Sequence, residues 1–175
     1  MDGDVPVGAG MASSAAIECA TVSSLNELFG LNIDKLEMVK IAQLAEQEFV
    51  GLQCGNMDMF TSIFGKKDHV ICLDCRSFEY EYLPFRQEGI KIVLLDTSIK
   101  HSLASSEYNT RRRQCEEGVG LIREHLPHVQ SLRDVSTGML DTYVAHNKTV
   151  YNRCRFVVEE IDRLLAAAVI CSATI

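Results

Sequence analysis

Pro6-Val7-Gly8-Ala9-Gly10-Met11-Ala12-Ser13-Ser14-Ala15-Ala16 is the stretch from which the rest of the chain is read. Two glycines among small residues make a tight turn, and Ala15, Ala16, Cys19, Val22 and Leu25 then fall at helical spacing. Gly30 supplies the stop. A small-residue loop that opens a helix presents backbone N–H groups and the positive end of the helix dipole, which suits a phosphate. Ser13 and Ser14 add hydroxyls for a phosphate oxygen or a metal ion. Two phosphate loops are excluded. No Gly-Lys-Ser/Thr ending is present, and the third glycine of the dinucleotide fingerprint falls at Ser13. A turn that merely starts a helix would look the same, so the residues downstream must decide.

Downstream, Asp34 can cap a second helix, with Glu37 as its capping-box partner and Leu36, Val39, Leu44 and Phe49 as an apolar stripe. Gly51 and Gly55 frame a loop before a short helix over Met57–Phe64. The period then changes. Residues 69–74 and 79–83 read as strands around an Asp74 turn, and the apolar run 90–95 predicts a buried central strand. Beyond it, 106–125, 131–146 and 150–169 read as helices. Helices, then strands, then helices predict an α+β fold. A linker near Pro127 predicts two domains, 1–126 and 127–175.

With 24 acidic against 17 basic residues, a net charge of -7, the chain has no overall field that attracts nucleic acid or anionic lipid. Arg111-Arg112-Arg113 is flanked by Glu107, Glu116 and Glu117 and reads as a solvated helix face. No apolar run reaches the roughly 20 residues of a membrane span, and Met1-Asp2-Gly3-Asp4 does not open a signal peptide. Seven cysteines, an odd number, read as reduced thiols of a cytoplasmic protein. Cys72-Leu73-Asp74-Cys75 has knuckle spacing without a second pair, so a strand cysteine beside a turn cysteine is expected. His69 and His101 lie in no ligand cluster and read as structural.

The glycine stretch resembles the phosphate-binding motif of the GHMP small-molecule kinases. Cys54-Gly55-Asn56-Met57-Asp58 resembles the galactokinase-family segment that supplies the catalytic aspartate. His101-Ser102-Leu103-Ala104-Ser105-Ser106-Glu107-Tyr108, followed by Arg111-Arg112-Arg113-Gln114-Cys115-Glu116-Glu117, is similar to a further galactokinase segment. The three matches come in order. They imply the two-domain GHMP fold, here the later part of its first domain and the start of its second. They also imply transfer of the terminal phosphate of ATP to the anomeric hydroxyl of galactose.

The resemblance further implies roles by position. Gly8, Ala9, Gly10, Met11, Ala12, Ser13 and Ser14 would wrap the ATP phosphates, and Ser13 or Ser14 would hold Mg2+. Asp58 would act on the sugar hydroxyl as base or orienting group, Gly55 and Tyr108 would line the sugar pocket, and Lys100 would lie near the nucleotide. The parts suit phosphoryl transfer, which is mostly positioning and charge stabilisation, and an ionised carboxylate can take the hydroxyl proton. Without the resemblance, Asp58 reads as a first-turn carboxylate and Tyr108 as a half-buried aromatic.

The chain departs from the family pattern in places. Ala12 stands where a serine is usual, Asn56 replaces an apolar residue, and Met59 replaces a glutamine, removing a polar neighbour of Asp58. The family's N-terminal arginine motif and C-terminal glycine-rich motif do not occur, so an internal piece with little or no turnover of its own is expected. Two other readings compete. Residues 101–108 argue against an N-acetylgalactosamine kinase, and the intact Ser13-Ser14 pair argues against an inactive sugar and ATP sensor.

Overall fold

The turn at 8–12 starts a helix because its backbone winds left-handed at Gly8 (φ 78°), Gly10 (φ 77°) and Ala12 (φ 51°). In the computed structural model, which describes residues 3–85, 89, 92–95 and 107–173, α1 then runs Ser13–Phe29. Gly30, also left-handed, ends it, and its N–H and that of Leu31 close on carbonyls of the last turn. α2 (Lys35–Ala45) opens at Asp34, whose carboxylate accepts from the Glu37 N–H at 2.9 Å. The expected return bond from Glu37 is replaced by an ion pair with Lys40 at 3.3 Å. α3 is Met57–Phe64, as the sequence predicts.

β1 (His69–Leu73) and β2 (Tyr80–Pro84) form an antiparallel hairpin with Val70 opposite Leu83 and Leu73 opposite Tyr80. Asp74 makes the turn, its carboxylate accepting from the N–H groups of Arg76 and Ser77 at 2.9 and 3.3 Å. Ala15 and Cys19 of α1, Val39 and Ala42 of α2, and Met59 and Phe60 of α3 fill one core. Phe60 is its pin. It stacks on Phe64 at 4.3 Å between ring centroids and meets Tyr80 edge-on at 5.1 Å, which fastens α3 to the hairpin.

Parts of the predicted stripes are turned out. Leu25, Leu44 and Phe49 are exposed; Val39 is buried as expected, and Met38 and Ala42 complete the buried face of α2. The predicted strand at 90–95 is also corrected. Ile90 and Lys91 lie outside the described residues, while 92–95 carry no strand and are exposed. A continuous apolar run becomes a central strand only where flanking strands supply a ladder, and none pairs with it among the described residues.

The chain divides into two compact units, 1–105 and 106–175. α4 (Glu107–Arg123), α5 (Thr137–Tyr143) and α6 (Lys148–Ala173) build the second. Its core is Val119, Ile122, Leu140, Val144, Val150 and Cys154 with their neighbours. α4 therefore packs with the later helices, and the units part well before Pro127. The expected 131–146 helix is split because two serines each cap a start. Ser131 and Asp134 make reciprocal capping bonds on a single 3-10 turn, and Ser136 then caps α5. Arg111 and Arg112 pair with Glu107 and Glu116 at 2.8 Å each, along a solvated face of α4. Among the described residues no helix is long and apolar enough to cross a membrane.

Gly118 lets α6 approach α4. A Cβ there would lie 2.3 Å from Cys154 Sγ and 3.1 Å from Val150 Cγ1. Gly118→Ala is expected to cost about 1–3 kcal/mol through overpacking, despite alanine's higher helix propensity. Gly120→Ala on the same helix meets nothing within 4 Å and is expected to gain up to about 1 kcal/mol. Urea unfolding of the two variants measures both signs.

Candidate active site

Ala12 decides what the glycine loop offers. As the left-handed N-cap of α1 it makes no side-chain capping bond. The first intrahelical bond runs from the Ala16 N–H to the Ala12 carbonyl at 3.0 Å, so the N–H groups of Ser13, Ser14 and Ala15 have no acceptor within the helix. Gly8 and Gly10 hold left-handed backbone with open space where a Cβ would stand, so the loop surface is bare peptide. Ala9 and Met11 complete an accessible rim.

Asp58 sits in the first turn of α3 with its side chain exposed. The cap position belongs to Asn56, which is 6% exposed and donates from Nδ2 to the Cys75 carbonyl at 3.0 Å. Asn56 thus ties the start of α3 to the hairpin turn. Met59 points the other way, 2% exposed in the core, and its carbonyl accepts from the Cys19 thiol at 3.6 Å. Met59 is thus a core residue, and Asn56 is held through its Nδ2 while its Oδ1 is buried without a donor. Gln43 and Gln47 fix the loop that leads to Asp58, their amides donating to the Cys54 carbonyl at 3.2 and 2.8 Å. Gly55 is exposed on that loop. Because Ala15 and Cys19 share a core with Met59 and Phe60, the loop-opened helix and the helix bearing Asp58 are packed together.

The other predicted residues lie elsewhere. Tyr108 is on α4 in the second unit, 45% exposed. Lys100 and His101 lie outside the described residues. His69 is held by its own strand entry, with Nδ1 2.8 Å from the Lys67 carbonyl.

Two carboxylates were missed. After α2 the chain makes one π turn, Glu46–Val50, closed by left-handed Gly51. The wider turn swings Phe49 into solvent, while Glu46 continues the buried stripe of Val39 and Ala42 at 1% exposure. Glu46 meets Glu18 of α1, and Glu18 Oε2 and both Glu46 carboxylate oxygens are buried without a hydrogen-bond donor. Burial, then the Glu46 contact, pushes Glu18 from its ordinary 4.5 up to about 8. With Glu18 protonated the contact is an O–H···O bond; with both ionised it is a repulsion. The thiols nearby respond to the same field. Cys54 and Cys19 are each pushed up to about 11, first by burial and then by Glu46 and Glu18 at Cys54 and by Glu18 at Cys19.

The sign of the pH effect follows. A protonated Glu18 contributes stability that is intact below pH 4.5 and lost as pH rises toward 8. Glu18→Gln removes the ionisation and gives Glu46 an amide donor. The variant is expected to exceed the parent by about 1–2 kcal/mol at pH 8, a figure discounted for the half-exposed side chain, and to converge with it at low pH. Urea midpoints across that range, without divalent cations, test it.

This loop-and-helix core has a defined counterpart: residues 1–66 match the GHMP kinases N terminal domain, and the mixed α and β fold is that of a GHMP kinase. Along nearly its whole length it is similar to galactokinases. That of Thermotoga maritima is 48% identical over 93% of this chain, and that of Limosilactobacillus fermentum is 39% identical over 94%. The structure of Lactococcus lactis galactokinase complexed with galactose superposes with a TM-score of 0.84 over 98% of the chain at 29% identity. The chain spans 44% of the Thermotoga maritima relative and 44% of the Lactococcus lactis chain, less than half of each.

Proposed function

We propose that the chain carries the phosphate loop and acceptor carboxylate of a galactokinase, which moves the terminal phosphate of ATP to the anomeric hydroxyl of galactose. One observation carries the reading. A bare, left-handed loop opening α1 is packed in the same core as α3, which holds Asp58 out to solvent. The similarity to galactokinases supports the choice of sugar.

The loop 8–14 binds the phosphates through backbone N–H groups at the positive end of α1. Asp58 accepts the proton of the sugar hydroxyl as its oxygen turns to phosphorus, or orients that hydroxyl. The likeness to galactokinases assigns sugar-binding roles to Gly55 and Tyr108 and a nucleotide-side role to Lys100, which lies outside the described residues. The residues present fit Mg2+. Ser14 and Glu18 lie one helical turn apart on the same face, and Glu18 meets the donorless oxygens of Glu46. Ser13 or Ser14, together with Glu46, would hold a hard cation with oxygen ligands. When bound, Mg2+ neutralises charge on the phosphates.

The test is ADP release from Mg-ATP by the purified chain, and by a full-length galactokinase with this segment in place of its own, with galactose, with N-acetylgalactosamine and with no sugar. Release that requires galactose supports the reading. Release driven only by N-acetylgalactosamine replaces the sugar, and saturable binding of galactose and ATP without ADP release makes the protein a sensor.

A further inference from the structure

The second unit holds a pair of thiols that phosphoryl transfer does not use. Cys115 on α4 lines a cleft of about 400 Å³ with Arg112, Glu116, Val119, Arg123 and Leu132. Cys154 on α6 is fully buried directly behind it. Its thiol donates to the Cys115 carbonyl at 3.9 Å, and the Cys115 side chain packs against the core cluster that contains Cys154. The approach depends on Gly118, where any Cβ would strike Cys154 Sγ. We propose that Cys115 and Cys154 form a peroxide-responsive pair: Cys115 is oxidised at the cleft, and Cys154 resolves it into a disulfide that joins α4 to α6.

The local chemistry favours Cys115 as the attacking sulfur. The neighbouring Cys154 thiol holds its ionisation down at about 7, aided by the Arg112 and Arg153 guanidinium groups and opposed by burial and Glu116. Cys154 is pushed up, first by the Cys115 thiol and then by burial, so it remains the proton-bearing partner. In the first step the Cys115 thiolate attacks one oxygen of hydrogen peroxide. An S–O bond forms, the O–O bond breaks and hydroxide leaves; sulfur is oxidised by two electrons and the peroxide is reduced. In the second step the Cys154 sulfur attacks the sulfenic sulfur, the S–O bond breaks, and the oxygen departs as water with the Cys154 proton. Two thiols and one peroxide give one disulfide and two waters. The product pins α4, the helix that carries Tyr108, to α6.

The experiment exposes the full chain to hydrogen peroxide and maps its peptides without reduction. The expected result is a linked Cys115–Cys154 peptide, reversed by dithiothreitol, and in Cys154→Ser a sulfenic acid at Cys115 that dimedone traps. Alkylation of the untreated parent by iodoacetamide at neutral pH should run about tenfold faster at Cys115 than at the exposed Cys75. This reading stands even if the serine variant does not fold. Equal rates at Cys115 and Cys75, or oxidation that spreads over the cysteines without the linked peptide, would overturn the proposal.

Discussion

Asp58→Ala, made in a full-length galactokinase that carries this segment, is expected to lower galactose-dependent ADP release by about 10²–10⁴-fold, the range for loss of a positioned general base, with the apparent affinity for ATP nearly unchanged. The split between the two readouts carries the argument. Were Asp58 only a helix-end carboxylate, its loss would cost about 1 kcal/mol of stability and spare the rate. Asp58 is not itself the N-cap, a position held by Asn56 without a side-chain capping bond. The Asp58 side chain stands exposed on a helix whose opposite side is buried by Met59 and Phe60. The measurement is the rate at saturating Mg-ATP for parent and variant, with nucleotide affinity from equilibrium binding. An unchanged rate would remove Asp58 from the mechanism.

Phe60→Ala should produce the largest loss of stability, about 3–5 kcal/mol, as for other fully buried aromatics. Phe60 is 1% exposed and touches three rings, Phe64, Phe78 and Tyr80, so its truncation opens a cavity between α3 and the hairpin. Phe49→Ala is the control. At 94% exposure it should change stability by no more than about 0.5 kcal/mol. The chain has no tryptophan, so helix content by far-UV circular dichroism in urea is the natural readout. Equal effects of the two substitutions would contradict the placement of α3.

Local signals were legible where a residue imposes geometry on its own neighbours. Asp34 announced the start of α2, Gly30 the end of α1, and Asp74 the hairpin turn, because each acts through bonds within a few residues. The glycine loop and Asp58 could be picked out as candidates, but their role came from resemblance, since short loops and first-turn carboxylates have many uses. The π turn was not legible, because nothing in residue propensity marks a helix that widens by one residue. Glu46 was nonetheless within reach. Four residues after Ala42 and seven after Val39, it is an acid at a position the stripe reserves for the core. Its spacing and chemistry conflict, and that conflict is the signal of a buried ionisable site. The run 92–95 failed for the opposite reason, since hydrophobicity states a need for cover and not the identity of the neighbour.

The separate cores carry a consequence for cooperativity. Ala15 to Phe60 supply one buried cluster and Val119 to Val158 the other, with no buried residue common to both among the described residues. Each unit can therefore open and close without emptying the other's interior, and amide protection should fall into two families. A ligand that binds elements of only one unit would raise that unit's melting transition and leave the other where it was.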